Sequence, residues 1–99
     1  MNAMKDVKRL EMVVESGVAE RFFGALDSLG LSYRTVIPDI YGQGRLGARG
    51  GDPFSTFDNT YVLVAVPPER LDEVVEALRP LLDLVGGMCL VSDAQSVTD

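Results

Sequence analysis

Histidine is absent from this 99-residue chain, and cysteine occurs once, as Cys89. The first absence excludes histidine-based catalytic triads and dyads. Together the two leave no usual zinc constellation and no internal disulfide. Cys89 stands in the apolar run Met88 to Val91 and reads as a small buried hydrophobe rather than a reactive thiol. No apolar run approaches the length of about 18 residues that a membrane span needs, and MNAMKDVKRL lacks the apolar core of a signal peptide. Basic residues are scarce too, nine against fifteen acidic, for a net charge of −6. Such a surface does not displace counterions from a phosphate backbone, so nonspecific nucleic-acid binding is excluded. A cytoplasmic protein without direct membrane insertion is expected.

What is present is a hydrophobic content of 46%, enough for one core. Residues 1–99 form a single domain, and one so small gains from oligomerisation. Met1 to Val7 reads as a frayed end. Lys8 to Val14 then alternates, with Leu10, Met12 and Val14 on one face, as a half-buried strand does. Ser16 is placed to cap a helix whose stripe is Val18, Phe22, Ala25, Leu26 and Leu29, and Gly30 suits its left-handed end. Phe22 is expected in the core and Phe23 at its rim. Leu31 to Ile40 reads as a second strand that Pro38 confines to an edge or a strand end.

Asn59 to Val66 is the most β-rich run, its near-continuous apolarity suggesting burial on both faces or at a subunit contact. Pro67, Pro68 and Glu69 open a second helix with the stripe Leu71, Val74, Val75 and Leu78 and a solvated face of Asp72, Glu73 and Glu76. Pro80 ends or kinks it near Arg79, with Leu81 to Val85 as a further turn. Gly86 and Gly87 then reverse the chain into a last strand, Met88 to Asp93, before a tail from Gln95 to Asp99. The order βαββαβ predicts an α+β, ferredoxin-like fold, a four-stranded antiparallel sheet with both helices on one face. If the other face carries Leu, Val and Tyr side chains, self-association would cover it.

Between the second and third strands lies Tyr41 to Asn59, with five of the ten glycines and with Arg45 and Arg49. It is longer than the roughly 12–15 residues beyond which a connection without its own structure is functional or disordered, and it reads as a mobile loop. Gly42-Gln43-Gly44-Arg45 is a candidate anion cradle, because glycines let amides approach an anion and arginine supplies planar charged donors. It is neither a P-loop nor a dinucleotide fingerprint, since no helix follows.

The stretch GLSYRTVIPDIYGQGRLG, Gly30 to Gly47, resembles the PII signal-transduction proteins, trimers of ferredoxin-like subunits that bind adenine nucleotides between subunits. The resemblance covers nearly the whole chain. It implies a homotrimer in which Thr35 contacts adenine and residues 42–58 form a mobile T-loop based on Gly42, Gln43, Gly44 and Arg45. It also implies a phosphate-holding B-loop near residues 80–88 that includes Gly86, Gly87 and Met88. Leu46 to Asp58 contains no tyrosine, so the uridylylation of nitrogen-sensing members is not carried over. GGMCLVSDAQSVTD lacks the basic residues of those members, which favours ADP or AMP over a triphosphate. The pattern is similar to PII-like proteins linked to inorganic-carbon uptake and carboxysomes, some of which bind bicarbonate, for which Arg45 and Arg49 are candidates. The implied function is that of a nonenzymatic switch. Nucleotide would order the loop, whose Pro53, Phe54 and Phe57 would face a partner such as a bicarbonate transporter or carboxysome component, unless the two phenylalanines instead pin the loop back onto the sheet. No other cofactor and no metal are implied.

Two other readings share the fold class. An acylphosphatase-like enzyme would use Arg45 or Arg49 with Asn59 orienting water, and the same topology serves small-molecule (amino-acid) or metal-tolerance modules, of which metal sensing finds no histidine and one buried cysteine here.

Overall fold

The computed structural model describes residues 4–40, 43–44, 47–48 and 58–98. Strand β1 (Lys5–Glu15) leads through a 3₁₀ turn (Ser16–Val18) into helix α1 (Ala19–Ser28) and then strand β2 (Thr35–Ile40). Gln43–Gly44 (β3) and Gly47–Ala48 (β4) pair as a short antiparallel ribbon. Strand β5 (Asn59–Val66), a second 3₁₀ turn (Pro68–Arg70), helix α2 (Leu71–Val85) and strand β6 (Met88–Ser96) complete the order. The main sheet is wholly antiparallel with strand order β2-β5-β1-β6, the ferredoxin-like arrangement expected.

The period-2 pattern of β1 and β5 builds the core. Leu10, Met12 and Val14 pair with Val64, Val62 and Thr60, and all lie on the face covered by Phe22 and Leu26 of α1 and Val74 and Leu78 of α2. Phe22 is fully buried and Phe23 packs at the core's edge under the Arg34 guanidinium, 4.7 Å from the ring centroid. Helix α1 ends as expected. Gly30 takes a φ of 77° while its N–H donates to Asp27 O and that of Leu31 to Leu26 O, satisfying carbonyls the helix leaves open.

Several boundaries differ from the sequence reading. Ser16 does not cap α1. Its hydroxyl lies 2.7 Å from that of Thr60 and its N–H donates to Asp58 O, so its polar groups are spent on the sheet, and the cap position falls to Val18 without a side-chain bond. The first strand begins at Lys5 and the last runs to Ser96, where a frayed start and a loose tail were expected. The two chain ends pair with each other, Lys5 with Ser96 and Asp6 with Gln95, aided by a Gln95 to Asp6 hydrogen bond. Strand β2 starts at Thr35 rather than Leu31, the preceding Arg34 being drawn to Asp27 at 2.7 Å. Helix α2 continues through Pro80 to Val85.

After Asn59, which is buried at its start, strand β5 is buried on one face only. Opposite its core side, Tyr61 and Leu63 are half-buried and Ala65 is exposed. This open face of the sheet also presents Ile37, Val13, Met88 and Leu90, interrupted by Arg9, Glu11 and Ser92.

Candidate functional site

The strand directions place the two glycine-bearing turns at one end of the sheet. Ile40 at the end of β2 pairs with Asn59, Asn59 with Glu15 at the end of β1, and Val13 with Met88 at the start of β6. The exit into the 41–58 segment and the Gly86-Gly87 turn are therefore level along the strands. They are not adjacent across them, because β2 and β6 are the two edges of the sheet. Three interstrand steps of about 4.8 Å separate them by about 14 Å. One chain does not close a site between them.

At the β6 edge the backbone is shaped for close approach. Gly86 ends α2 with a φ of 75° and its N–H donates to Leu82 O at 2.8 Å. Gly87 packs so tightly on β1 that a Cβ there would stand 2.7 Å from Val14 Cγ1. Met88 is exposed on the open face. At the β2 edge, Thr35 is exposed and faces the same side as Leu63, its partner in the ladder. Pro38 sits where an edge strand tolerates it, within a register shift between Ile37 and Ile40, and Asp39 takes a φ of 59° there. Gln43 and Gly44 form one arm of the ribbon, opposite Ala48 and Gly47. Gly42, Arg45, Arg49, Pro53, Phe54 and Phe57 lie outside the described residues.

Four basic side chains at or near the sheet are committed elsewhere. Lys8 pairs with Asp93, Arg9 with Glu11, Arg34 with Asp27, and Arg70 with Glu73 while also donating to Leu29 O at 2.7 Å. A cavity of about 580 Å³ lined by Asp6, Lys8, Pro68, Asp93 and Gln95 lies at the opposite end of the sheet. Its charges largely neutralise one another through the Lys8–Asp93 pair, so its size does not mark it as the anion site. Among the described residues no group of three or more Cys, Asp or Glu is placed to hold a metal ion, and no helix is long and apolar enough to cross a membrane. Cys89 packs against the core, where burial pushes its thiol pKa up and leaves it a poor nucleophile.

Asn59, needed to orient water in an acylphosphatase-like site, is fully buried and donates its amide to Ile40 O at 3.3 Å. That structural role was missed from sequence. The only signal for it was a polar residue opening an otherwise apolar strand.

The family model of nitrogen regulatory protein P-II matches residues 7–99. The chain belongs to the P-II family. Among solved structures, this P-II chain is similar to CPII, a nitrogen regulatory PII-like protein from Thiomonas intermedia K12, bound to ADP, AMP and bicarbonate. The match has 26% identity and a TM-score of 0.84, covering 97% of this chain and 92% of that one. The apo form of the same CPII superposes with a TM-score of 0.77 at 22% identity, covering 94% of each chain. A PII-like signaling protein from Thermus thermophilus shares the fold at 16% identity and a TM-score of 0.73, covering 97% of this chain and 94% of that one. No curated protein matches this P-II chain.

Proposed function

We propose that this P-II chain is a nonenzymatic regulatory protein that binds ADP or AMP, with bicarbonate as a second ligand, in clefts between the subunits of a homotrimer. The observation that carries this reading is the placement of the loop exit and the Gly86-Gly87 turn level with one another on opposite sheet edges. A second copy bringing its β6 edge to the β2 edge of the first joins them, and the mixed apolar open face gives such copies a surface to bury. The similarity to CPII, bound to ADP, AMP and bicarbonate, supplies the ligand class.

Within that cleft Thr35 meets the base. Gly42, Gln43, Gly44 and Arg45 meet the phosphates from one side, and Gly86, Gly87 and Met88 from the other. Ligand binding offsets the ordering entropy of residues 42–58 and shifts which loop conformation is presented to a partner. Pro53, Phe54 and Phe57 are the residues offered to that partner, a component of inorganic-carbon uptake or of a carboxysome.

Thermal unfolding with AMP, ADP, ATP, cyclic AMP and bicarbonate, singly and in pairs, tests the reading. A ligand at 100 times its Kd adds about 2.7 kcal/mol. ADP or AMP should raise the midpoint and bicarbonate should add to it, whereas no shift with any nucleotide removes the proposal. Sedimentation of the ligand-free protein as a monomer would remove the intersubunit cleft.

A further inference from the structure

The sheet keeps its apolar exposure at its two edges. Among the described residues, the large hydrophobic side chains exposed on its strands are Val36 and Ile37 of β2 and Met88, Leu90 and Val91 of β6. None lies on the central strands β1 and β5. An edge strand is ordinarily guarded by proline, lysine or a bulge, because its open backbone groups recruit another strand. Strand β2 is guarded only beyond Ile37, where Pro38 and the register shift stand. Strand β6 runs for nine residues with no proline, no basic residue and one charge, Asp93, which is paired with Lys8.

Beside β6, on the helix side of the sheet, lies a groove of about 190 Å³. Val75, Leu78 and Leu82 of α2 line it with Cys89 and Val91 of β6, and Arg79 and Asp83 stand at its rim. The rows of the sheet run Ile37–Tyr61–Val13–Met88 and Val36–Val62–Met12–Cys89. A ring of copies whose axis follows the strands keeps all of them at one height, so each row continues into the next copy. Strands β2 and β6 run in opposite directions, as antiparallel pairing requires. Val36 and Cys89 then meet on the helix side, where Val62 and Met12 also point. Two residues further along that side, Arg34 carries the half-exposed Asp27 carboxylate on one copy, and Val91 lies beside Arg79 on the other. The same register therefore brings a carboxylate toward Arg79.

We propose that β2 of one copy pairs antiparallel with β6 of the next, with Val36 opposite Cys89 and its side chain in the groove. Each copy uses each edge once, a head-to-tail contact that closes into a ring. This inference rests on the homotrimer of the reading above and adds the register in which its copies meet.

Cys89 is the only cysteine, so Val36→Cys supplies a single partner thiol. Within one chain the two positions are three strands, about 14 Å, apart, too far for a disulfide, whose Cα atoms lie within about 7 Å. Directly opposite residues of paired strands stand about 4.5–5.5 Å apart. Copper-phenanthroline in air, at a pH that offsets the raised Cys89 thiol pKa, takes two electrons and two protons from each thiol pair. On a non-reducing denaturing gel Val36→Cys should run mainly as a three-chain band. Wild type should stay a single chain, and Cys89→Ser added to Val36→Cys should remove the three-chain band. Links that stop at two chains, or no link in a variant that sediments as a trimer, overturn the register and leave the trimer standing. Should Val36→Cys not fold, Thr35→Cys with Leu90→Cys in a Cys89→Ser chain, the next row on the open face, should give the same three-chain band. Wild type that sediments as a monomer removes both the register and the trimer.

Discussion

Gly87 lies against Val14 with no room for a side chain. A Cβ on Gly87 would meet Val14 Cγ1 at 2.7 Å, Val13 O at 3.2 Å and Leu82 Cδ2 at 3.3 Å. Val14 is fully buried and the Val13 carbonyl belongs to the sheet, so neither can withdraw freely. Gly87→Ala is expected to cost about 1–3 kcal/mol, the range for overpacking. Urea unfolding measures it, and an unchanged midpoint would show that the turn relaxes at no cost.

Pro80 sits on the exposed side of α2, five residues before its end. It leaves one helical carbonyl without its donor. Pro80→Ala restores the donor, a gain of up to about 3 kcal/mol in helix propensity, less about 0.4–1 kcal/mol for a freer unfolded chain. A net stabilisation of up to about 2–2.6 kcal/mol is expected in denaturant titration. A lower midpoint would mean that the proline's kink is needed for packing.

Tyr61 O–H donates to Glu11 Oε2 at 2.6 Å on the open face. That hydrogen bond, with burial and the Glu11 charge, holds the phenol pKa above its usual 10.0, and Arg9 opposes it. The fold favours the protonated phenol. Its contribution is complete below a pH of about 10 and is lost as pH rises through the higher folded value. Tyr61→Phe should therefore cost about 0.5–1.5 kcal/mol near neutrality and flatten the alkaline fall in stability. Parallel pH profiles for the two proteins would contradict this.

Arg45 is the charged member of the proposed loop base. A charge-assisted hydrogen bond is worth about 1.5–3 kcal/mol, so Arg45→Ala is expected to weaken ADP binding about 10- to 100-fold. Its unfolding midpoint in the absence of ligand should match wild type. Unchanged affinity removes Arg45 from the site.

How legible was all this in the residues alone? The third long strand appears where its β-branched run predicted, Asn59–Val66, and Gly30 and Gly86 close their helices in the left-handed conformation. Pro38 marks an edge strand because an edge needs no second hydrogen-bond partner. The candidate site was legible only in part. Glycine and arginine in a long connection point to an anion. They do not say that the other glycine turn lies level with it on the far edge of the sheet.

The sequence by itself determined the order of the long elements, the buried faces of β1 and of the two helices, and the chemical character of the loop, because periodicity and turn chemistry are local properties. Tertiary structure decided what depends on residues far apart in the chain. Pairing between the two ends made strands of Lys5 to Val7 and of Gln95 and Ser96. The hydroxyl of Ser16 went to Thr60 rather than to the helix, because a buried neighbour competes with a local cap. Asn59 became the link between Ile40 and the anchored start of β5 only when the register set them side by side. A side chain's local preference is visible in the chain, whereas its partner is fixed by which strands the core brings together.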